Sequence, residues 1–184
     1  PEPAPAMLTL SPALNRLRER LPEAAKDLKL NLQTVLSSDQ LSARQRLGTL
    51  VACAFASGSA ELLAAAREQC GDELGLEDQA AAERIAATMG MNNIYYRFLH
   101  LVQDEEYGRL PARLRMQALA HPPGDRLDRE LWALAVSAQN GCGQCIQAHE
   151  KVLREAGASR GMIQDAVRIA AVVGAFATAL QHPA

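Results

Sequence analysis

The sequence predicts an all-α fold, with two tandem helical repeats packed as one domain. Three observations carry this. Ala (34) and Leu (26) make up about a third of the 184 residues, while aromatics reach only 4%. Helix formers therefore dominate, and the β-branched and aromatic residues that sheets favour are scarce. Apolar residues recur at helical spacing along almost the whole chain, with no convincing alternating strand. Finally, a shift of 84 residues lays Arg84-Ile85-Ala86-Ala87 on Arg168-Ile169-Ala170-Ala171 and Gly90 on Gly174. The same shift lays Leu47, Leu50 and Ala54 on Leu131, Leu134 and Ala138. One offset shared by two distant segments marks a duplicated unit, about 41–90 and 125–174.

The elements follow in order. Residues 1–6, PEPAPA, precede Met7 and are expected to form a disordered leader, leaving 7–184 as a single helical domain. Leu28, Leu32, Val35 and Leu36 lie on one helix face. Ser59 and Ser159 are candidate N-caps of helices running to about Gln69 and Ala170. Met91, Ile94, Tyr95, Phe98 and Val102 form another apolar face, as do Leu127, Leu131, Leu134 and Ala138. Met89, Met91 and Met116 are expected as core filler, His100 as a packing or hydrogen-bonding residue, and His121 in a loop. Breakers at Gly71–Gly75, Gly108–Pro111 and His121–Gly124 divide the chain into about eight to ten helices with short connections.

Composition excludes several classes. The chain is long enough to bury a sizeable core, and 48% hydrophobic residues exclude a mainly disordered protein. A net charge of −2 without long like-charge blocks gives no footprint for nucleic acid or an anionic membrane. The longest apolar run, Ile169 to Leu180, is shorter than a membrane span needs and reads as a core helix. Neither a signal peptide nor a glycine-rich nucleotide loop is visible, so the cytoplasm is the expected compartment and no tightly bound cofactor is expected.

The cysteines carry the chemistry. Cys53 and Cys70 are isolated in Ala-rich helical contexts, as small buried hydrophobes are. Cys142 and Cys145 form a CxxC directly after Asn140-Gly141, a turn signal that opens a helix. Cys142 thus falls near a helix N-terminus, where free N–H groups and the macrodipole favour a thiolate. Cys145 follows at i+3 and His149 four residues later, so all three share a face, with His149 in reach of Cys145 as a base. Glu130, on the preceding helix, can orient that imidazole directly or through water. Trp132, the only Trp, is expected as a core anchor shielding the site. A redox dithiol is favoured over an inert reduced pair. A metal site formed by Cys142, Cys145, His149 and Glu130 is the third reading, although three ligands on one straight helix fit a tetrahedron poorly, and no metal is expected.

Glu130-Leu131-Trp132, Ala135-Val136-Ser137-Ala138, Asn140-Gly141-Cys142 and Cys145 with Ala148-His149-Glu150 resemble the AhpD-like family of the carboxymuconolactone decarboxylase-like superfamily. Leu21-Pro22-Glu23, Lys29-Leu30-Asn31-Leu32 and Met89-Gly90-Met91-Asn92-Asn93 extend the resemblance over nearly the whole chain from about Leu17. The resemblance implies a homotrimer and a lipoyl-dependent alkyl hydroperoxide reductase. Such an antioxidant dithiol protein reduces an AhpC-type peroxiredoxin and, more weakly, peroxides directly. Its implied electron donor is dihydrolipoamide on a lipoylated 2-oxo acid dehydrogenase component. It makes Cys145 the reactive thiol, Cys142 the second thiol, and Glu130 and His149 the proton relay. Gln144 departs from the pattern, since many members carry His between the cysteines; Gln cannot titrate but can hydrogen-bond. Two other functions are a decarboxylase-like enzyme of the same superfamily, whose chemistry needs no thiol pair, and a non-enzymatic stress adaptor.

Overall fold

A computed structural model describes residues 7–116 and 125–182. The expected leader 1–6 and the loop at His121–Gly124 lie outside the described residues. The described residues form nine α-helices and one 3-10 turn, and no strand. The helices are α1 (Pro12–Glu19), α2 (Lys26–Leu36), α3 (Ala43–Ala56), α4 (Ala60–Cys70), α5 (Leu76–Val102), α6 (Glu105–Arg109), α7 (Arg126–Gln139), α8 (Gly143–Glu155) and α9 (Arg160–Leu180).

Local chemistry explains most helix starts. Ser59 caps α4 and Ser159 caps α9, as the sequence predicts. Ser42 and Gln45 close a capping box on α3, and Asp125 caps α7, in each case satisfying N–H groups that the first turn leaves without partners. Leu28, Leu32, Val35 and Leu36 pack inward together, and so do Leu127, Leu131 and Leu134.

The duplication is visible in space. Helices α3, α4 and α5 begin at Ala43, Ala60 and Leu76; α7, α8 and α9 begin at Arg126, Gly143 and Arg160, spacings of 83, 83 and 84 residues. Packing follows the same rule: α3 on α4 and α5 is matched by α7 on α8 and α9, and α3 on α9 by α7 on α5. The central helices α3 and α7 meet through residues the 84-residue shift makes equivalent. Arg44 pairs with Asp128 at 3.0 Å, and Trp132 stacks where Gly48 leaves room. A Cβ on Gly48 would overlap the Trp132 indole, whose Nε1 donates to the Gln45 carbonyl at 3.3 Å. Gly48→Ala is therefore expected to lower stability by about 1–3 kcal/mol, the usual cost of overpacking, measured as a shift in the urea midpoint.

Some expectations need correction. The second half of α5 does not present its apolar stripe to the core: Ile94 is 66% and Phe98 47% exposed, while Asn92 and Asn93 are buried. Asn93 takes the inward position because it has polar partners on α7. Met116 lies outside any helix, Gly108 sits inside the short α6, and His100 is exposed. Taken whole, α9 is long and apolar enough to cross a bilayer, which the run from Ile169 alone does not suggest. In the fold it is packed by Ile169, Val173, Phe176 and Leu180 against α2, α3 and α7.

Candidate active site

The turn after α7 builds the site. Gly141 has φ +69°, a left-handed conformation that glycine adopts without strain, and it reverses the chain into α8. Cys142 is the N-cap of α8, and its Sγ accepts the Cys145 N–H at 3.3 Å. Its own N–H donates to the Ser137 carbonyl at 3.0 Å. Cys142 and Cys145 are joined as a disulfide with Cα atoms 5.3 Å apart, an ordinary separation for such a bridge. Cys142 is fully buried and Cys145 is 7% exposed, so Cys145 is the sulfur nearer solvent. With the sulfurs bonded to each other, neither is offered as a thiolate ligand to a metal in this state.

Glu130 and His149 come together as the sequence predicts, and directly. Glu130 Oε2 lies 2.8 Å from His149 Nδ1, joining α7 to α8. Both are half-buried and line a cavity of about 200 Å³ with Ile85, Met89, Ala133, Arg126 and Arg129. His149 stands one turn beyond Cys145 on α8; among the described residues its hydrogen-bond partner is Glu130 and not a sulfur.

Trp132 and Gln144 lie elsewhere. Trp132 is wholly buried, as a core anchor should be, but its contacts are with α3, and Arg44 sits 5.9 Å from its ring. It follows Glu130 by two residues, about 200° around the helix, so it faces α3 while Glu130 faces α8. A shielding role beside the disulfide is not what these contacts provide. Gln144 is exposed and lines a separate cavity with Leu99, His100, Gln103 and Asp104. Spacing gives Ser137, Asn93 and Arg97 no role at the site, yet hydrogen bonds link them through Asn140 behind the turn. Ser137 Oγ also reaches Met89, which is buried as core filler should be. The available signal was Asn92-Asn93, two amides in an apolar helical stretch.

Cys53 and Cys70 remain free and buried. Burial pushes the Cys53 thiol far up; burial, then the charge of Glu73, pushes Cys70 up to about 12. Raised values hold both as neutral thiols at neutral pH, and only the thiolate reacts. After reduction, iodoacetamide at pH 7 should label Cys145 first and the buried Cys142 more slowly in the folded protein, and Cys53 and Cys70 only in denaturant. Mass mapping checks this; prompt native labelling of Cys53 would contradict it.

Comparison with known proteins agrees with this architecture. The model of the carboxymuconolactone decarboxylase family matches residues 105–182, which include the second helical triplet and the disulfide. The chain is 53% identical over 166 residues to alkyl hydroperoxide reductase AhpD of Frankia alni, covering 90% of each protein. It is 47% identical over 172 residues to the AhpD of a Bradyrhizobium species, covering 94% of this chain and 95% of the relative. Identity to the AhpD of Streptomyces avermitilis is 48% over 172 residues, 94% of this chain and 97% of the relative. The chain belongs to the alkyl hydroperoxide reductase AhpD family.

Proposed function

We propose that the protein is a lipoyl-dependent dithiol oxidoreductase that reduces an AhpC-type peroxiredoxin and, more weakly, alkyl hydroperoxides directly. The observation that supports it most is the Cys142–Cys145 disulfide at the N-terminus of α8, one turn from the paired His149 and Glu130. The relatives' name, alkyl hydroperoxide reductase, supports the same activity.

In the reductive half, a dihydrolipoamide thiolate attacks Cys145, the more exposed sulfur, and Cys142 leaves with a proton. The second donor thiol then attacks its own sulfur in the mixed disulfide. This releases Cys145 and leaves lipoamide oxidised by two electrons. In the oxidative half, the Cys145 thiolate attacks the peroxiredoxin disulfide, and Cys142 resolves the mixed disulfide intramolecularly. With a hydroperoxide, Cys145 takes one oxygen as a sulfenic acid and releases the alcohol; Cys142 condenses with it and water departs. With Glu130 accepting from Nδ1, His149 is left with Nε2 as its basic nitrogen, able to take and return the thiol proton.

The donor is a lipoylated 2-oxo acid dehydrogenase component, the setting the cytoplasm, and no tightly bound cofactor is needed. Neither nucleic acid nor a membrane enters the cycle. Turnover with dihydrolipoamide against thioredoxin, together with a count of titratable thiols before and after peroxide, tests the proposal. Faster turnover with dihydrolipoamide and the loss of two thiols are expected. Unchanged thiols would favour the adaptor reading, and catalysis independent of both thiols a decarboxylase-like one.

The proposed homotrimer draws support from exposed apolar residues on α5 and beyond it: Ile94, Phe98, Leu101, Tyr107 and Leu110. Phe98 and Tyr107 pack edge-to-face at 5.3 Å, so the patch is continuous across α5 and α6. Ile94→Glu with Leu101→Glu should convert a trimer to monomer in light scattering at micromolar concentration; a monomeric parent would overturn the trimer.

A further inference from the structure

The geometry points to Asn93 and Arg97 as positioning residues for the redox pair: from α5 they clamp the turn that holds Cys142 within bonding reach of Cys145. The inference rests on the dithiol reading above.

The turn has local closure of its own. Asn140 donates its N–H to Val136, Gly141 to Ala138 and Cys142 to Ser137. These bonds shape the turn but do not anchor it to the rest of the fold, and the buried residues of α8 are only Cys145 and Leu153. Gln139, directly before the turn, donates Nε2 to the Cys53 carbonyl on α3 at 3.2 Å. Two α5 residues four apart, on one helix face, hold Ser137 and Asn140 themselves. Asn93 is 1% exposed, and its amide is used on both sides: Nδ2 donates to Ser137 Oγ at 2.9 Å, and Oδ1 accepts from Asn140 Nδ2 at 2.9 Å. Arg97 donates from Nη1 to the Asn140 carbonyl at 2.7 Å. Ser137 and Asn140, the two residues held, are those that flank the turn and fix Cys142 through the Ser137 carbonyl.

The duplication supplies an internal comparison. Where α9 packs on α3, the 84-residue shift places Ala177 and Gln181 in the roles of Asn93 and Arg97, and Cys53 and Ala56 in those of Ser137 and Asn140. Those side chains cannot build the same network. A buried amide in an Ala- and Leu-rich interior is costly unless every group is paired. The polar clamp stands at the turn that leads into the CxxC, and its pseudo-equivalent turn does without it. Both α5 residues hold their partners by hydrogen bonds to the backbone or to neutral side chains, so their effect is on geometry.

Disulfide formation from two thiols, with oxidised glutathione reduced to two glutathione thiols, measures the effective molarity of Cys142 toward Cys145. The full chain is equilibrated in glutathione buffers at about pH 5, where ordinary thiols near 8.5 are protonated. Arg97→Met and Asn93→Ala should each lower that effective molarity about five- to tenfold, the scale of one or two lost hydrogen bonds. Arg97→Lys keeps a donor for the Asn140 carbonyl and should recover most of the loss. Arg97 is only half-buried, so its variants keep the test available if Asn93→Ala unfolds. Arg67→Ala, which breaks an exposed pair with Glu83, is the control and should change nothing. An unchanged effective molarity in Arg97→Met, with only a lowered Tm, would overturn the clamp, as would a rise, which loss of charge beside a thiolate would cause. A parent disulfide that no dithiol opens would overturn the dithiol reading along with it, a result distinct from an unchanged variant.

Discussion

Cys145→Ser and Cys142→Ser are each expected to reduce dihydrolipoamide-driven peroxide turnover by roughly 10³-fold or more, because either change removes the intramolecular thiol on which resolution depends. The two variants should fail differently. In Cys142→Ser the more exposed sulfur, Cys145, survives and should accumulate as a mixed disulfide with a small thiol. In Cys145→Ser the remaining sulfur is the fully buried Cys142, which should capture the same thiol far more slowly. Intact mass spectrometry after brief exposure to a labelled disulfide separates these outcomes. Turnover within about tenfold of the parent in either variant would remove the CxxC from the mechanism. Equal capture by both variants would instead undo the order of attack.

The sequence makes the scaffold legible where local physics decides it. Ser59 and Ser159 cap their helices because a hydroxyl at that position satisfies a free N–H whatever the tertiary fold, and Asn140-Gly141 turns because glycine tolerates positive φ. The 84-residue shift that aligns Leu47 with Leu131 also aligns Gly48 with Trp132, so the close approach of α3 and α7 was present in the sequence as a Gly–Trp pair. What periodicity cannot report is which side of a helix gets covered. On α5 it favours Ile94 and Phe98 as core residues, whereas the interior position belongs to Asn93, whose partners are 44 and 47 residues away. Glu130 and His149 show the intermediate case. Their chemistry is readable from type and spacing, but a 2.8 Å contact depends on how α7 and α8 pack.

His149→Phe is expected to lower dihydrolipoamide-driven turnover by roughly 10²–10⁴-fold, the range typical of losing an acid–base group, while Gln144→His and Gln144→Ala stay within about tenfold of the parent. The structure separates the two positions physically. His149 is half-buried, bonded to Glu130, and opens on the cavity floored by Ile85 and Met89. Gln144 is exposed on another side of α8, facing His100 and Asp104. An imidazole placed at 144 would therefore add a titratable group to a surface groove without entering the Glu130–His149 pair. Glu130→Gln offers an intermediate readout. It keeps an acceptor for Nδ1 but removes the negative charge that favours the imidazolium formed when His149 takes a proton. Its loss should be smaller than that of His149→Phe, because the imidazole keeps its hydrogen-bonded orientation and loses only the charge beside it. Measuring kcat/KM across pH for the parent and all four variants decides the assignment. If Gln144→His raised activity by orders of magnitude while His149→Phe left it nearly unchanged, the proton would travel along the Gln144 side of α8, and the paired His149 and Glu130 would be a structural tie between α7 and α8.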